Sequence, residues 1–238
     1  MEQQDNAAIE SQPTAISVSP FKGLAQVFYN PAGWFEQIQH KPKVLVPYIV
    51  LGVLTLVAFY LMSDQLVEMQ LNSPQLQEQL QGQSAPPNMR QILMYSTVGG
   101  GTLVFLLAPL AAAVLALFWG NVVFAGHAGF KTLLSLMLYG ELIFAVGHML
   151  TMPLVLAKKS LAVGFNLGVL VADRGLEDAL YVALSRIDLF IIWEIIVIGI
   201  GLSVIYRFPR NKGLLTSVLS MGLLSVFGVL AAVVKSMF

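Results

Sequence analysis

Cysteine is absent from this chain of 238 residues. Its absence excludes disulfide bonds, thiolate metal ligands and thiol nucleophiles, and it leaves the redox compartment undetermined. Charge is scarce too, because Asp, Glu, Lys and Arg make up 11% of the residues, whereas soluble domains carry about 25%. The 13 basic and 13 acidic residues cancel, so no global field attracts nucleic acid or an acidic partner.

Motifs for catalysis, phosphate binding and secretion are also missing. Gly99-Gly100-Gly101 is not followed by the Lys-Ser/Thr of a Walker loop, and neither HExxH nor Gly-x-Ser-x-Gly occurs. Residues 1–20 are polar and lack the basic start and apolar stretch of a cleavable signal peptide. We therefore expect no enzyme activity, no cofactor and no metal site, and we expect residues 1–20 to form a disordered tail.

Long apolar stretches are what the chain does have. Hydrophobic residues make up 57% of it, and the mean hydropathy is +0.76. About 20 apolar residues of helix cross a bilayer, and backbone groups in lipid must bond within their own segment. The sequence therefore predicts an all-α, polytopic bundle of five transmembrane helices in a single domain, 21–238. The predicted spans are 44–62, 92–118, 132–157, 189–206 and 214–234.

Shorter apolar patterns flank these spans. Residues 21–38 hold two short amphipathic helices, which lie in the membrane interface or pack on the bundle. The polar segment 63–91 predicts two surface helices, separated by Ser73-Pro74 as an N-cap and first-turn proline. Residues 176–187 predict an interfacial helix with Leu176, Leu180, Leu184 and Ile187 on its apolar face.

Orientation is predicted from basic residues in the loops. Five spans place the two termini on opposite sides of the membrane. With the N-terminus inside, the inner loops hold seven Lys and Arg residues and the outer segments six. The short loop 207–213 contains three of them and carries most weight, so we expect a cytoplasmic N-terminus and an outside C-terminus. Lys158-Lys159 argues for the opposite orientation.

Ionisable residues inside the spans are the candidate interaction sites. Glu141 and His148 lie two turns apart in the third span, and Glu194 follows Trp193 in the fourth. Such residues face the bundle or a watery cavity and mark proton relays or substrate contacts. A structural pair bonded to neighbouring helices is the favoured alternative, because one Glu and one His make a poor metal site. Asp188 stands where it can cap the fourth span.

Small residues and prolines within the spans are candidates for helix packing. Glycine lets a neighbouring backbone approach closely, and proline frees a carbonyl and kinks its helix. The candidates are Gly99, Gly100, Gly101, Pro109, Gly140, Gly147 and Gly199.

Three segments resemble the bacterial Yip-domain proteins. The run 188–193, Asp-Leu-Phe-Ile-Ile-Trp, followed by Gly199-x-Gly201, resembles the Asp-x-Phe-x-x-Trp…Gly signature that opens their fourth span. Tyr29-Asn30-Pro31 is similar to the Asn-Pro element before their first span. Residues 129–140 are similar to the Gly-x-Phe…Tyr element that begins their third. The likeness covers about residues 20–236.

This resemblance implies a five-span protein with a cytosolic N-terminus. Eukaryotic members bind Rab-type GTPases through upstream motifs that have no match here, and some bacterial members are encoded beside ABC exporters. No catalytic residues carry over. We therefore expect a non-enzymatic accessory or scaffold protein of the bacterial inner membrane. Its expected partners are the lipid bilayer and an ABC-type exporter, another membrane complex or a second copy. The alternative is a transporter or channel whose pathway is lined by Glu141, His148 and Glu194.

Overall fold

Helices dominate the computed structural model, which describes residues 19–81, 83–176 and 178–222. In chain order they are α1 (Pro20–Tyr29), α2 (Pro31–Ile38), α3 (Leu45–Leu71), α4 (Pro74–Leu80), α5 (Met89–Val123), α6 (Phe130–Lys158), α7 (Ala179–Ser185), α8 (Leu189–Tyr206) and α9 (210–222). A 3₁₀ helix, Leu167–Arg174, precedes α7. The all-α prediction is confirmed.

Four of these helices, α3, α5, α6 and α8, are long and apolar enough to cross a membrane. They correspond to the first four predicted spans, and α8 has the predicted bounds, 189–206. The predicted fifth span, 214–234, is helical as far as residue 222, and its remainder lies outside the described residues. The count of five therefore stays a prediction. Of the predicted tail, residues 1–18 also lie outside the described part.

The first span is longer than predicted. Residues 63–71, predicted as a surface helix, are the last turns of α3, which ends at Leu71 with Asn72 as its C-cap. Ser73 then caps α4, since its Oγ accepts a hydrogen bond from the Leu76 amide at 3.4 Å, and Pro74 occupies the first helical position. The predicted helix boundary at Ser73-Pro74 is confirmed, but the polar residues before it do not break α3.

Helix α6 is the centre of the bundle. Its apolar stretch is 72% buried, against 22% in α3 and in α5. Glycines let α8 approach it closely: a Cβ on Gly140 would lie 2.5 Å from Ile198 Cγ1, and one on Gly147 would overlap the Phe190 ring. Helix–helix contact through small residues is the usual packing mode in membranes, where burial from water supplies little.

The short helices α1 and α2 pack on the bundle, which is the second of the two alternatives stated for residues 21–38. Trp34 and Phe35 are fully buried, and Trp34 meets the Tyr139 ring edge-on with centroids 4.9 Å apart. The Tyr139 hydroxyl donates to the Pro20 carbonyl at 2.9 Å. Asn30 caps α2 by accepting from the Gly33 amide at 3.2 Å.

Helix α5 departs from regular α geometry at both ends. Ser96–Gly100 and Phe118–Val123 form π turns. Pro109 sits inside the helix and cannot donate to the preceding turn. In that turn the Tyr48 hydroxyl of α3 donates to the Leu106 carbonyl. A side chain from the neighbouring span thus contacts the helix where its own ladder is interrupted.

The connector between α6 and α8 is folded against the bundle. Asn166 and Asp188 form an isolated antiparallel bridge, and Asp178 caps α7. Helix α7 is seven residues long and thus shorter than the predicted 176–187. Leu180 and Ile187 of the predicted apolar face are exposed, and Tyr181 is the buried residue of α7. That this face lies in the membrane interface stays a prediction.

Candidate functional site

Glu141 of α6 and Glu194 of α8 meet in the interior of the bundle. Both are buried, with 8% and 2% of their surface exposed. The two carboxyl groups are neighbours at the contact between α6 and α8. Glu194 Oε1 has no hydrogen-bond partner in the part of the chain that the structure describes. The two glutamates therefore form one unit, the carboxyl pair.

A hydrogen bond between two carboxyl groups requires a proton on one of them, because two carboxylates are both acceptors. A charged side chain in an apolar bundle is costly unless it is paired. The carboxyl pair can thus hold a proton between two helices. This arrangement fits both alternatives stated from the sequence, a structural link between α6 and α8 or a step in proton transfer.

His148 lies apart from the carboxyl pair. Its ring packs edge-on against Phe144 and Phe105, with centroids 4.3 Å and 5.5 Å apart. It also lines a cavity of about 190 Å³. Asp188 borders this cavity, and neither glutamate is among the residues that line it. The structure therefore places His148 and Asp188 on one cavity, which Glu141 does not line.

Asp188 and Trp193 hold the start of α8. One Asp188 oxygen accepts hydrogen bonds from the amides of Phe190 and Ile191, at 2.8 Å and 3.2 Å. An aspartate at this position satisfies amides that have no partner inside the helix. Trp193 contacts Phe28 of α1 edge-on, with centroids 5.7 Å apart. Both residues are in structural contacts that fix where α8 begins and which helix covers it.

The packing candidates fall into two groups. Gly140 and Gly147 face α8, Gly199 faces α9 with Leu214 Cα 2.9 Å from where its Cβ would be, and Gly101 faces Phe59 of α3. By contrast, a Cβ on Gly99 or Gly100 would meet nothing within 4 Å among the described residues. These two glycines expose bare backbone on the outside of the bundle, in the π turn of α5.

A polar pocket of about 670 Å³ was not predicted from the sequence. Its lining includes His40, His127, Arg207 and Lys212, and none of the described residues that line it is Asp or Glu. The Lys212 ammonium donates to the Phe124 carbonyl at 3.1 Å and lies 4.2 Å from the Phe208 ring centroid. The sequence shows the basic loop 207–213, but no pattern in it indicates that this loop meets His40 and His127.

This pocket belongs to a basic end of the bundle. The basic end comprises residues 19–44, 124–131 and 207–213, and its sequence holds seven Lys and Arg against one acid, Glu36. At the other end, residues 63–91 and 158–188 hold five Lys and Arg against seven Asp and Glu, and we name these the acidic end. The two ends differ mainly in their number of acidic residues, since Lys and Arg number seven at one end and five at the other.

Apolar helices of spanning length, small residues at their contacts and buried ionisable side chains define an integral membrane protein of the helical class. The chain belongs to the Yip1 domain family, whose model matches residues 25–233. It is similar to the membrane protein YknW of Bacillus subtilis (strain 168), with 26% identity over 216 residues, or 90% of this chain and 91% of that protein. No solved structure matches the chain.

Proposed function

We propose that this protein is a non-enzymatic accessory or scaffold protein that binds another membrane complex, with an ABC-type exporter as the partner. Membership of the Yip1 domain family and the similarity to a bacterial membrane protein support a role within the bilayer. The helical surface supports a role in association, and it is the outer face of α5 that carries the proposal.

The outer face of α5 combines bare backbone with large apolar side chains. Within the described part of the chain, Gly99 and Gly100 have open space where a Cβ would stand, and Leu103, Val104 and Leu107 are exposed one or two turns further on. Exposed glycines in a membrane helix let a second helix approach closely enough for backbone contact. The neighbouring leucine and valine side chains would then pack around that contact. Contact with lipid chains alone does not require the open space beside Gly99 and Gly100.

Cysteine crosslinking tests this surface directly, because the chain has no cysteine of its own. Gly100→Cys on α5 is compared with Ile196→Cys on α8, which replaces another exposed residue of a span. A membrane-permeant cysteine-to-amine crosslinker is applied to native membranes, and the products are identified by mass spectrometry. We expect an exporter permease or ATPase subunit to be captured from residue 100 and not from residue 196. Equal capture at both positions would contradict the proposal, and a dimer of this chain alone would replace the exporter by self-association.

We further propose that the protein lies in the bacterial inner membrane with its basic end in the cytoplasm. Short cytoplasmic loops are enriched in Lys and Arg, and the basic end holds seven such residues in short segments. This orientation places the N-terminus inside. The acidic end, with its longer connectors, would face outward.

A transporter is the second candidate, and the carboxyl pair is the observation that favours it. Two carboxyl groups that share a proton between spanning helices are a common element of proton relays. The test is proton flux in liposomes that contain the purified protein, with Glu194→Gln as the variant. Flux above protein-free liposomes that the variant abolishes would support transport, and flux equal to empty liposomes would remove it.

A further inference from the structure

A groove that is separate from the polar pocket lies on the outside of the basic end, between α3 and α5. It encloses about 670 Å³, within the usual range of ligand sites. Its wall is apolar over much of its length and includes Leu45, Ile49, Gly52 and Leu106. From residue 45 to residue 52 the helix rises about 10 Å, so the groove runs from the end of the bundle along the membrane-spanning part of α3.

Two lysines stand at the mouth of this groove. Lys43 and Lys131 both line it, and among residues 19–222 that the structure describes no Asp or Glu does. The backbone of Lys43 is fixed on α6, because its amide donates to Ser135 Oγ at 3.0 Å and that hydroxyl donates back to the Lys43 carbonyl at 2.8 Å. Lys131 lies four residues before Ser135, on the same face of α6. The arrangement therefore places both lysines on one side of the bundle.

Apolar walls with cations at one end match the shape of a lipid with a negatively charged headgroup. Basic pockets beside transmembrane helices bind such headgroups. The backbone of Lys43 is fixed by its hydrogen bond to Ser135, and its side chain is half-buried. Because partial burial already restricts this side chain, binding costs it less conformational freedom than it costs a fully exposed lysine. The charge of the described segments at this end has the sign that attracts anionic lipid, since they hold seven basic residues against one acid.

We propose that the groove binds an anionic phospholipid. The phosphate lies on the ammonium groups of Lys43 and Lys131. One acyl chain lies along Ile49 and over Gly52, against Leu106. This site is independent of the partner surface on α5 and does not require an exporter.

Native mass spectrometry of the full chain in mild detergent tests the proposal. Phosphatidylglycerol and phosphatidylcholine with identical chains are titrated separately, and the fraction of lipid-bound protein is measured. We expect the wild type to prefer phosphatidylglycerol. Lys43→Gln/Lys131→Gln should weaken phosphatidylglycerol binding about thirty-fold and leave phosphatidylcholine unchanged, from the usual contribution of two lysines near an anionic headgroup.

The matched control is Arg207→Gln/Arg210→Gln, which removes two charges from the same end but outside the groove. It should keep the wild-type preference. Equal weakening in both double variants would show that net charge and not the groove attracts the lipid, and it would overturn the proposal. So would unchanged binding in the lysine variant.

Two further experiments distinguish a bound lipid from a bound free phosphate ester: a variant with a narrower groove and competition by a soluble ligand. Gly52→Leu reduces the width of the groove beside Leu106, whose Cδ2 lies 3.6 Å from where a Cβ would be. It should weaken the binding of both lipids, while size-exclusion chromatography and thermal unfolding confirm that the variant is folded. Glycerol phosphate should not compete. Competition by glycerol phosphate at concentrations equal to the lipid would contradict the proposal.

Discussion

The basic and acidic ends of the bundle are constructed differently. At the basic end the connections are short and tied by hydrogen bonds: Asn121 bonds both backbone groups of Ala128, and the Tyr206 hydroxyl donates to the Ala116 carbonyl at 3.1 Å. At the acidic end the connectors are longer. There Arg90 bridges α5 to Asp64 and Glu68 of α3 through exposed side chains. Exposed ion pairs add little stability, so the comparison assigns the tighter packing to the basic end.

The largest effect is expected from filling a glycine at the basic end. A Cβ on Gly126 would lie 2.5 Å from the Tyr206 ring and 3.0 Å from the Gly120 carbonyl. Neither can move easily, because Tyr206 stacks on Phe208 and is hydrogen-bonded. Gly126→Val should lower the free energy of unfolding by about 3 kcal/mol, measured by denaturation in detergent.

A matched pair of variants compares the two ends: Gly164→Ala at the acidic end and Gly126→Ala at the basic end. The Gly164 Cβ would meet the terminal nitrogen of Asn166, 2.8 Å away, and this side chain can turn aside at the cost of one hydrogen bond, which its Oδ1 accepts from the Gly168 amide. We expect Gly164→Ala to cost less than half of what Gly126→Ala costs. Equal losses would show that the two ends are packed alike.

Between the ends, the carboxyl pair predicts the next largest effect. Glu194→Ala leaves Glu141 buried without its partner, and we expect a loss of about 2 kcal/mol. Glu194→Gln can still donate to Glu141, so it should stay within about 0.5 kcal/mol of the wild type. Thermal unfolding of both variants measures the difference. If the two variants were equally destabilised, the shared hydrogen bond would not be what links α6 to α8.

A smaller effect is expected at the start of α8. Asp188→Ala removes two hydrogen bonds to helix amides and should lower stability by about 1 kcal/mol. Asp188→Ser restores an accepting oxygen and should recover most of the loss. A fully destabilised serine variant would show that Asp188 acts through the cavity it shares with His148 and not through the cap.

The smallest effect is expected from the ion pairs of the acidic end. Arg90→Gln removes the two ion pairs that Arg90 of α5 makes with α3. All three side chains are largely exposed, and water screens such pairs. We expect no measurable shift in Tm at physiological salt. A drop comparable to that of Asp188→Ala would mean that the acidic end depends on this bridge.

The spans were the most predictable part of the fold. Apolar length alone placed the first four, and Asp188 followed by an apolar run gave the bounds of α8. The end of α3 was misplaced, because Asp64, Gln65 and Glu68 are typical of a loop while the helix continues through them to Leu71. The π turns of α5 leave no periodic signal that separates them from α-helix.

Pairing between distant residues could not be read from one chain. Glu141 and His148 share a helix face by spacing, which favoured a common role, yet α8 brings Glu194 to Glu141 while Asp188 and the cavity lie beside His148. The groove of Lys43 and Lys131 depends on a hydrogen bond between residues 92 positions apart. Such contacts follow from helix packing, which local patterns do not encode.

Single-cysteine accessibility tests the orientation of the two ends most directly. His127→Cys at the basic end and Gln83→Cys at the acidic end both replace exposed residues in a chain without cysteine. Intact bacterial cells are treated with a membrane-impermeant maleimide. The account predicts that position 83 is labelled at once and position 127 only after the membrane is permeabilised. Labelling of position 127 in intact cells, or equal labelling of both positions, would contradict it.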